Sequence, residues 1–130
     1  MPLTAEPPDA QELAGLIRSG LARLEDAGHL ANSLEGRFDL AYNAAHALCL
    51  AALRRSGYRS RNRFMVFQVL PHTLGLGPEV WRVLANCHQV RNQAEYEGYS
   101  RVEERMVADL INACRQVAAR LEALVALPGS

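Results

Sequence analysis

Apolar residues recur at helical spacing through most of this chain. Leu13, Leu16, Ile17, Leu21 and Leu24 keep to one face of a helix. Asp9 can cap that helix, with Glu12 three residues on, and Gly28 stops it. Ser33 caps a second helix, from about Leu34 to Ser56, which Gly57 closes. Its middle, LAYNAAHALCLAAL, is apolar nearly all round, so it should be the central and most buried helix. Phe64 to Leu70 has room for two helical turns, which Pro71 ends or kinks. Gly75 and Gly77 mark a loop. Pro78 suits the first position of a helix running to about Gly98, with Val80, Leu84, Cys87, Val90 and Ala94 as its core stripe. Ser100 and Glu103 form a capping box for a last helix, from Arg101 to about Leu127. Along it Val107, Leu110, Ile111, Cys114, Val117, Leu121 and Leu124 make a long seam. No segment alternates apolar and polar residues over strand length, and no repeat is visible. The expected fold is all-α, an antiparallel helical bundle of four long helices plus one short helix. Residues 1–8, with Pro2, Pro7 and Pro8, read as a flexible lead-in to a single domain over 9–130.

Composition narrows this picture without redirecting it. At 130 residues, 49% hydrophobic and 22% charged, the chain can bury a real core. Fourteen basic residues balance fourteen acidic ones, so any contact with nucleic acid must come from a local patch. The longest apolar stretch, around Ala44 to Leu53, is interrupted by His46 and too short to span a bilayer, so no membrane association is expected. MPLTAEPPDA lacks the apolar run and positive leader of a secretory signal. Cys49, Cys87 and Cys114 sit among apolar residues without metal-ligand spacing, which fits small hydrophobes in a reduced, cytoplasmic setting. Neither a metal nor a cofactor is expected.

Three polar constellations interrupt the apolar pattern. In the helix after Pro78, His88, Arg91 (or Asn92) and Glu95 share a face beside the core stripe, and Asn92 and Tyr96 pair at i,i+4. Arg91 can form a salt bridge with Glu95 on a solvated face, or present a fork of donors to a phosphate. Asn43 and His46, three apart in the central helix, need partners if buried. They either bond locally or face His88, Arg91 and Tyr96 across a polar cleft. Arg59, Arg61 and Arg63, flanked by Tyr58 and Phe64, make either a solvated turn or a phosphate-binding loop with stacking platforms. Arg54 and Arg55 add local positive charge, with no acidic residue between Asp39 and Glu79. No GxSxG, P-loop, HExxH or glycine-rich dinucleotide turn is present. Arg82 and His88 match an arginine–five residues–histidine string, but six positions on a helix point them apart.

Laid side by side, FDLAYNAAHALCLAAL and RNQAEY (Arg91 to Tyr96, preceded by CHQV and followed by EGY) resemble the small bacterial HEPN-domain proteins. The resemblance runs from about Leu34 to the end of the last helix. That family's signature is an arginine, a polar residue, a few variable positions and a histidine. It implies a homodimer whose signature helices face each other across a cleft that binds RNA or a nucleotide phosphate. In many members the cleft is a metal-independent RNase, several being toxins paired with a nucleotidyltransferase partner. Carried over, Arg91 would hold or polarise the phosphate and Asn92 would orient it. Asn43, His46, His88 and Glu95 would support the cleft. Tyr96 stands where the family's histidine falls, and an unperturbed tyrosine is a poor base at neutral pH. Tyr96 and Tyr99 are also candidates for nucleotidylation, which silences some of the family's toxins at a tyrosine near the motif. A different class of reading is a non-catalytic interaction module: an antitoxin, or an adaptor partner of a nucleotidyltransferase or other enzyme. A helical module that binds DNA through the arginine-rich loop is a third.

Overall fold

The computed structural model describes residues 3–97 and 102–126, with backbone alone at 95–97. Six helices run through them: α1 (Ala10–Ala27), α2 (Leu34–Arg55), α3 (Arg63–Gln68), α4 (Leu70–Thr73), α5 (Pro78–Glu97) and α6 (Glu104–Ala126). The fold is helical, as the periodicity predicts, and the ends of its first two helices follow from local chemistry. Asp9 accepts hydrogen bonds from the backbone N–H of Gln11 and Glu12, and Ser33 accepts from that of Gly36. Each thereby satisfies donors that a helix start leaves unpaired. Gly57 follows the Ser56 cap of α2 with φ +90°, a conformation glycine adopts without a steric penalty.

α2 is the axis of the molecule. Twelve of its 22 residues are buried, and it touches every other helix. Its small side chains explain how it does so. Ala41, Ala44, Ala45, Ala51 and Ala52 let neighbours approach from several sides, while Leu48 and Leu53 fill the space between them. The seam of α6 is buried from Val107 to Leu121 as its spacing predicts. Cys49, Cys87 and Cys114 are buried free thiols. Burial pushes the Cys49 thiol well up and raises Cys87 and Cys114 to about 12, so none is a ready nucleophile. Among the described residues, no helix is long and apolar enough to cross a membrane.

Four sequence expectations change. The segment after the arginine loop is two short helices rather than one. Asn62 caps α3 through the N–H of Met65, the chain breaks at Val69, and Pro71 lies in the first turn of α4, where its missing N–H costs nothing. The last helix begins at Glu104 rather than Arg101, with Val107 N–H bonded to the Glu103 carbonyl. Ser100, the other half of the expected capping box, lies outside the described residues. The lead-in is also tied down. Thr4–Ala5 (β1) pairs antiparallel with Tyr58–Arg59 (β2), and Glu6 N–H donates to the Gly57 carbonyl at 2.9 Å.

The fourth change concerns charge. Arg54 is only 2% exposed, and five acceptors face its five N–H groups. These are Glu12 Oε1 at 2.6 Å, the carbonyls of Glu6, Pro7 and Tyr58 at 3.0, 2.7 and 3.2 Å, and Glu6 Oε2 at 3.2 Å. Arg59 completes the network through Glu6 at 2.9 Å and Glu12 at 2.6 Å. The acids that offset this arginine-rich stretch thus come from the N-terminal segment, more than forty residues away. Hydrogen bonds from Arg54 and then Arg59 hold the Glu12 carboxyl below its ordinary pKa.

Candidate functional site

The arginine loop does not act as one patch. Arg59 belongs to the network that fastens the N-terminus, Arg61 is exposed, and Arg63 turns inward as the first residue of α3. There Arg63 reaches α2. Its guanidinium carbon lies 5.6 Å from the centre of the Tyr42 ring, and Nη1 is 3.4 Å from Asn43 Oδ1. The Asn43 amide nitrogen donates to the Asp39 carbonyl at 2.9 Å, which leaves its oxygen facing Arg63.

α5 meets the same spot from the other side. Arg91 places its guanidinium carbon 4.9 Å from the centre of the Tyr42 ring. His88 Nδ1 is 2.7 Å from Tyr42 Oη, and the two rings stack at 6.1 Å and 18°. His88 Nε2 is 3.2 Å from Asn92 Nδ2, one helical turn on. Phe67 packs edge-on against Tyr42, His46 and His88 at 6.0, 6.3 and 6.3 Å, and Phe64 lies 6.5 Å from His88. A completely buried tyrosine thus organises two guanidiniums and one imidazole, contributed by α3 and α5.

The electrostatics follow from this crowding. Burial lowers the His46 pKa from its ordinary 6.5 to about 4, reinforced by Arg63, His88 and Arg91. His88 moves the same way, through burial first and then Arg63 and Arg91. Among the described residues, every charge that acts on either imidazole is cationic. Both rings are therefore held towards their neutral forms, chiefly by burial and further by the two guanidiniums.

Of the residues singled out by sequence, Asn43, His46, Arg63, His88, Arg91 and Asn92 come together here. The α2 and α5 faces meet through Tyr42 and His88. The side chains of Glu95 and Tyr96 lie outside the described part, although their backbone continues α5; Tyr99 lies outside it altogether. Arg82 stacks on Trp81 at 5.6 Å. Tyr42 is the residue that sequence reasoning missed. Its signal was available: a tyrosine in an alanine-rich buried helix needs a partner for its hydroxyl.

Among the described residues are two hollows, the first of which shares Asn43 with this cluster. One of about 370 Å³ runs along the start of α2 between Arg23, Ser33, Asp39 and Asn43, and one of about 250 Å³ separates α5 from α6 beside Cys87 and Asp109. Among the described residues, no group of three or more histidine, cysteine, aspartate or glutamate side chains is arranged to hold a metal ion. Comparison of the chain with family models, with curated proteins and with solved structures gives no match.

Proposed function

We propose that this chain is a HEPN-like protein that binds the phosphate of RNA or of a nucleotide in the cleft between α2, α3 and α5. One observation carries the reading: Arg63 and Arg91 converge on one aromatic ring, beside two imidazoles whose pKa both guanidiniums help burial to lower. A site with that field is complementary to an anion, and planar guanidinium forks match phosphate oxygens. Phe67, wholly buried, packs against Tyr42, His46 and His88, and Phe64 lies beside His88. The HEPN resemblance adds a homodimer and a nucleotidyltransferase partner to the proposal, and the three free thiols add a cytoplasmic setting.

The geometry favours binding over cleavage. Both ring nitrogens of His88 already have partners, burial makes His46 a weak base, and Tyr96 occupies the signature's histidine position. The metal-independent RNase of toxin–antitoxin type is therefore the second reading, with Arg91 and Asn92 on the scissile phosphate. The same substitution at Tyr96 favours the inert antitoxin or adaptor among the interaction modules.

The test is binding of a short labelled single-stranded RNA, followed by fluorescence anisotropy from about 50 to about 200 mM salt. Affinity should fall steeply with salt, and each of Arg63→Gln and Arg91→Gln should weaken it and flatten the salt dependence. Binding that is indifferent to salt and to both substitutions would remove the cleft from consideration. Cleavage of the same RNA that Arg91→Gln abolishes would establish the second reading.

A further inference from the structure

The larger hollow adjoins the cluster around Tyr42, and its lining bears on what a ligand there would carry besides a phosphate. At about 370 Å³ it falls within the range of small-molecule sites, roughly 300–1,000 Å³, whereas the hollow beside Cys87, at about 250 Å³, does not. Gly36, Asp39, Leu40 and Asn43 line it from α2 at i, i+3, i+4 and i+7, one face of that helix. Gly36 adds no side chain to the stripe, and Leu40 gives it apolar surface. Arg23 lines the same hollow from α1, where Nη1 donates to the Ser19 hydroxyl one turn back. Among the described residues, neither Arg23 nor Asp39 takes part in an ion pair, and the Asp39 carboxylate accepts no hydrogen bond. One cation and one anion thus border a single hollow without closing on each other, and each keeps hydrogen-bonding capacity for a ligand.

We propose that this hollow is the base subsite of the bound nucleotide and that it selects guanine, an inference that rests on the phosphate-binding reading above. Among the common bases only guanine sets two adjacent donors, N1–H and the 2-amino group, beside two adjacent acceptors, O6 and N7. The donors match the two oxygens of Asp39, and the acceptors match the guanidinium fork of Arg23. Adenine turns an acceptor, N1, towards the carboxylate and a 6-amino donor towards the arginine. Cytosine and uracil each offer one donor at the pairing edge and have no N7. Asn43 joins this subsite to the phosphate, because it lines the hollow and its Oδ1 lies 3.4 Å from Arg63 Nη1. Asp39 precedes Asn43 by one turn, about 6 Å along the helix axis, a gap that a ribose bridges. The base then lies between α1 and α2, and its phosphate reaches Arg63 at the start of α3.

Isothermal titration of the full chain with guanosine, inosine and adenosine monophosphates tests this. The guanosine form should bind roughly tenfold tighter or more than the adenosine form. Inosine monophosphate, which lacks the 2-amino group, should fall between them. Asp39→Asn should bring the guanosine and adenosine affinities together, and Arg23→Gln should narrow the gap from the other edge of the base. Both side chains are exposed, and thermal melts confirm that the variants fold. Equal affinity for the guanosine and adenosine forms, or a guanine preference that both substitutions leave intact, overturns the subsite while leaving phosphate binding in place. Failure of all three nucleotides to bind overturns the phosphate-binding reading and this inference with it.

Discussion

A methyl group at Gly20 would enter the seam between α1 and α2. A Cβ built there meets Leu48 Cγ at 2.6 Å and Cδ2 at 2.8 Å, with the Ala44 carbonyl oxygen at 3.3 Å. Carbon atoms in contact prefer about 3.5–4.0 Å, so something must move. Leu48 is wholly buried and cannot swing into solvent, and the Ala44 oxygen belongs to the backbone of the central helix. Overpacking of this kind costs about 1–3 kcal/mol, against which alanine returns up to about 1 kcal/mol of helix propensity. Gly20→Ala should therefore destabilise the protein by about 1–2 kcal/mol. Gly15, in the same helix, is the internal control. Its added Cβ meets only the end of the Arg18 side chain, at 4.0 Å, so Gly15→Ala should stabilise by up to about 1 kcal/mol. Urea unfolding followed by circular dichroism measures both, as opposite shifts of the midpoint at similar slope. A Gly20→Ala protein as stable as the parent, or shifts of the same sign in both variants, would refute the close α1–α2 approach.

Other consequences follow from the buried polar groups. Arg54→Leu removes the Arg54 contacts to Glu6, Pro7 and Glu12, leaving Arg59 and the β1–β2 pairing to hold the N-terminal segment. It should cost about 3 kcal/mol and speed hydrogen exchange at the Glu6 amide; unchanged exchange would contradict the clamp. Tyr42→Phe keeps the ring under both guanidiniums but removes the hydroxyl on His88. It should cost about 1 kcal/mol and leave phosphate affinity within a fewfold, so loss of binding would mean that the hydroxyl itself contacts ligand. For His46 the unfolded chain takes a proton near 6.5 and the folded chain only near 4, so stability should fall as pH drops through that window. The steepest slope is about 1.4 kcal/mol per pH unit, and His46→Gln should flatten it. An identical pH profile in that variant would place the effect elsewhere. Glu12 acts in a lower window. Its contribution, complete above 4.5, should disappear as pH falls through its depressed folded value, and Glu12→Gln should remove that acid-side loss in the same unfolding series.

What could be read from the chain divides by range. Helix starts at Asp9, Ser33 and Pro78 were legible because capping is decided within three or four residues. The burial of α2 was legible because its apolar character runs all round. The Arg54 network was not, since arginine is a surface residue unless paired and its partners lie more than forty positions away in the chain. The β1–β2 pairing escaped for a related reason: two residues are too few to display alternation. The candidate site was half legible. The polar faces of Asn43–His46 and His88–Asn92 stood out locally, but their meeting depends on how α2 and α5 pack. Tyr42 looked like core and proved to be both core and the centre of the cluster.

The most direct test of the cleft is an NMR titration of the isotope-labelled full chain with adenosine monophosphate at neutral pH. Shift changes should be concentrated at Tyr42, His46, Arg63, His88, Arg91 and Asn92. Changes confined to the hollow beside Arg23 and Ser33, or none at saturating nucleotide, would contradict it.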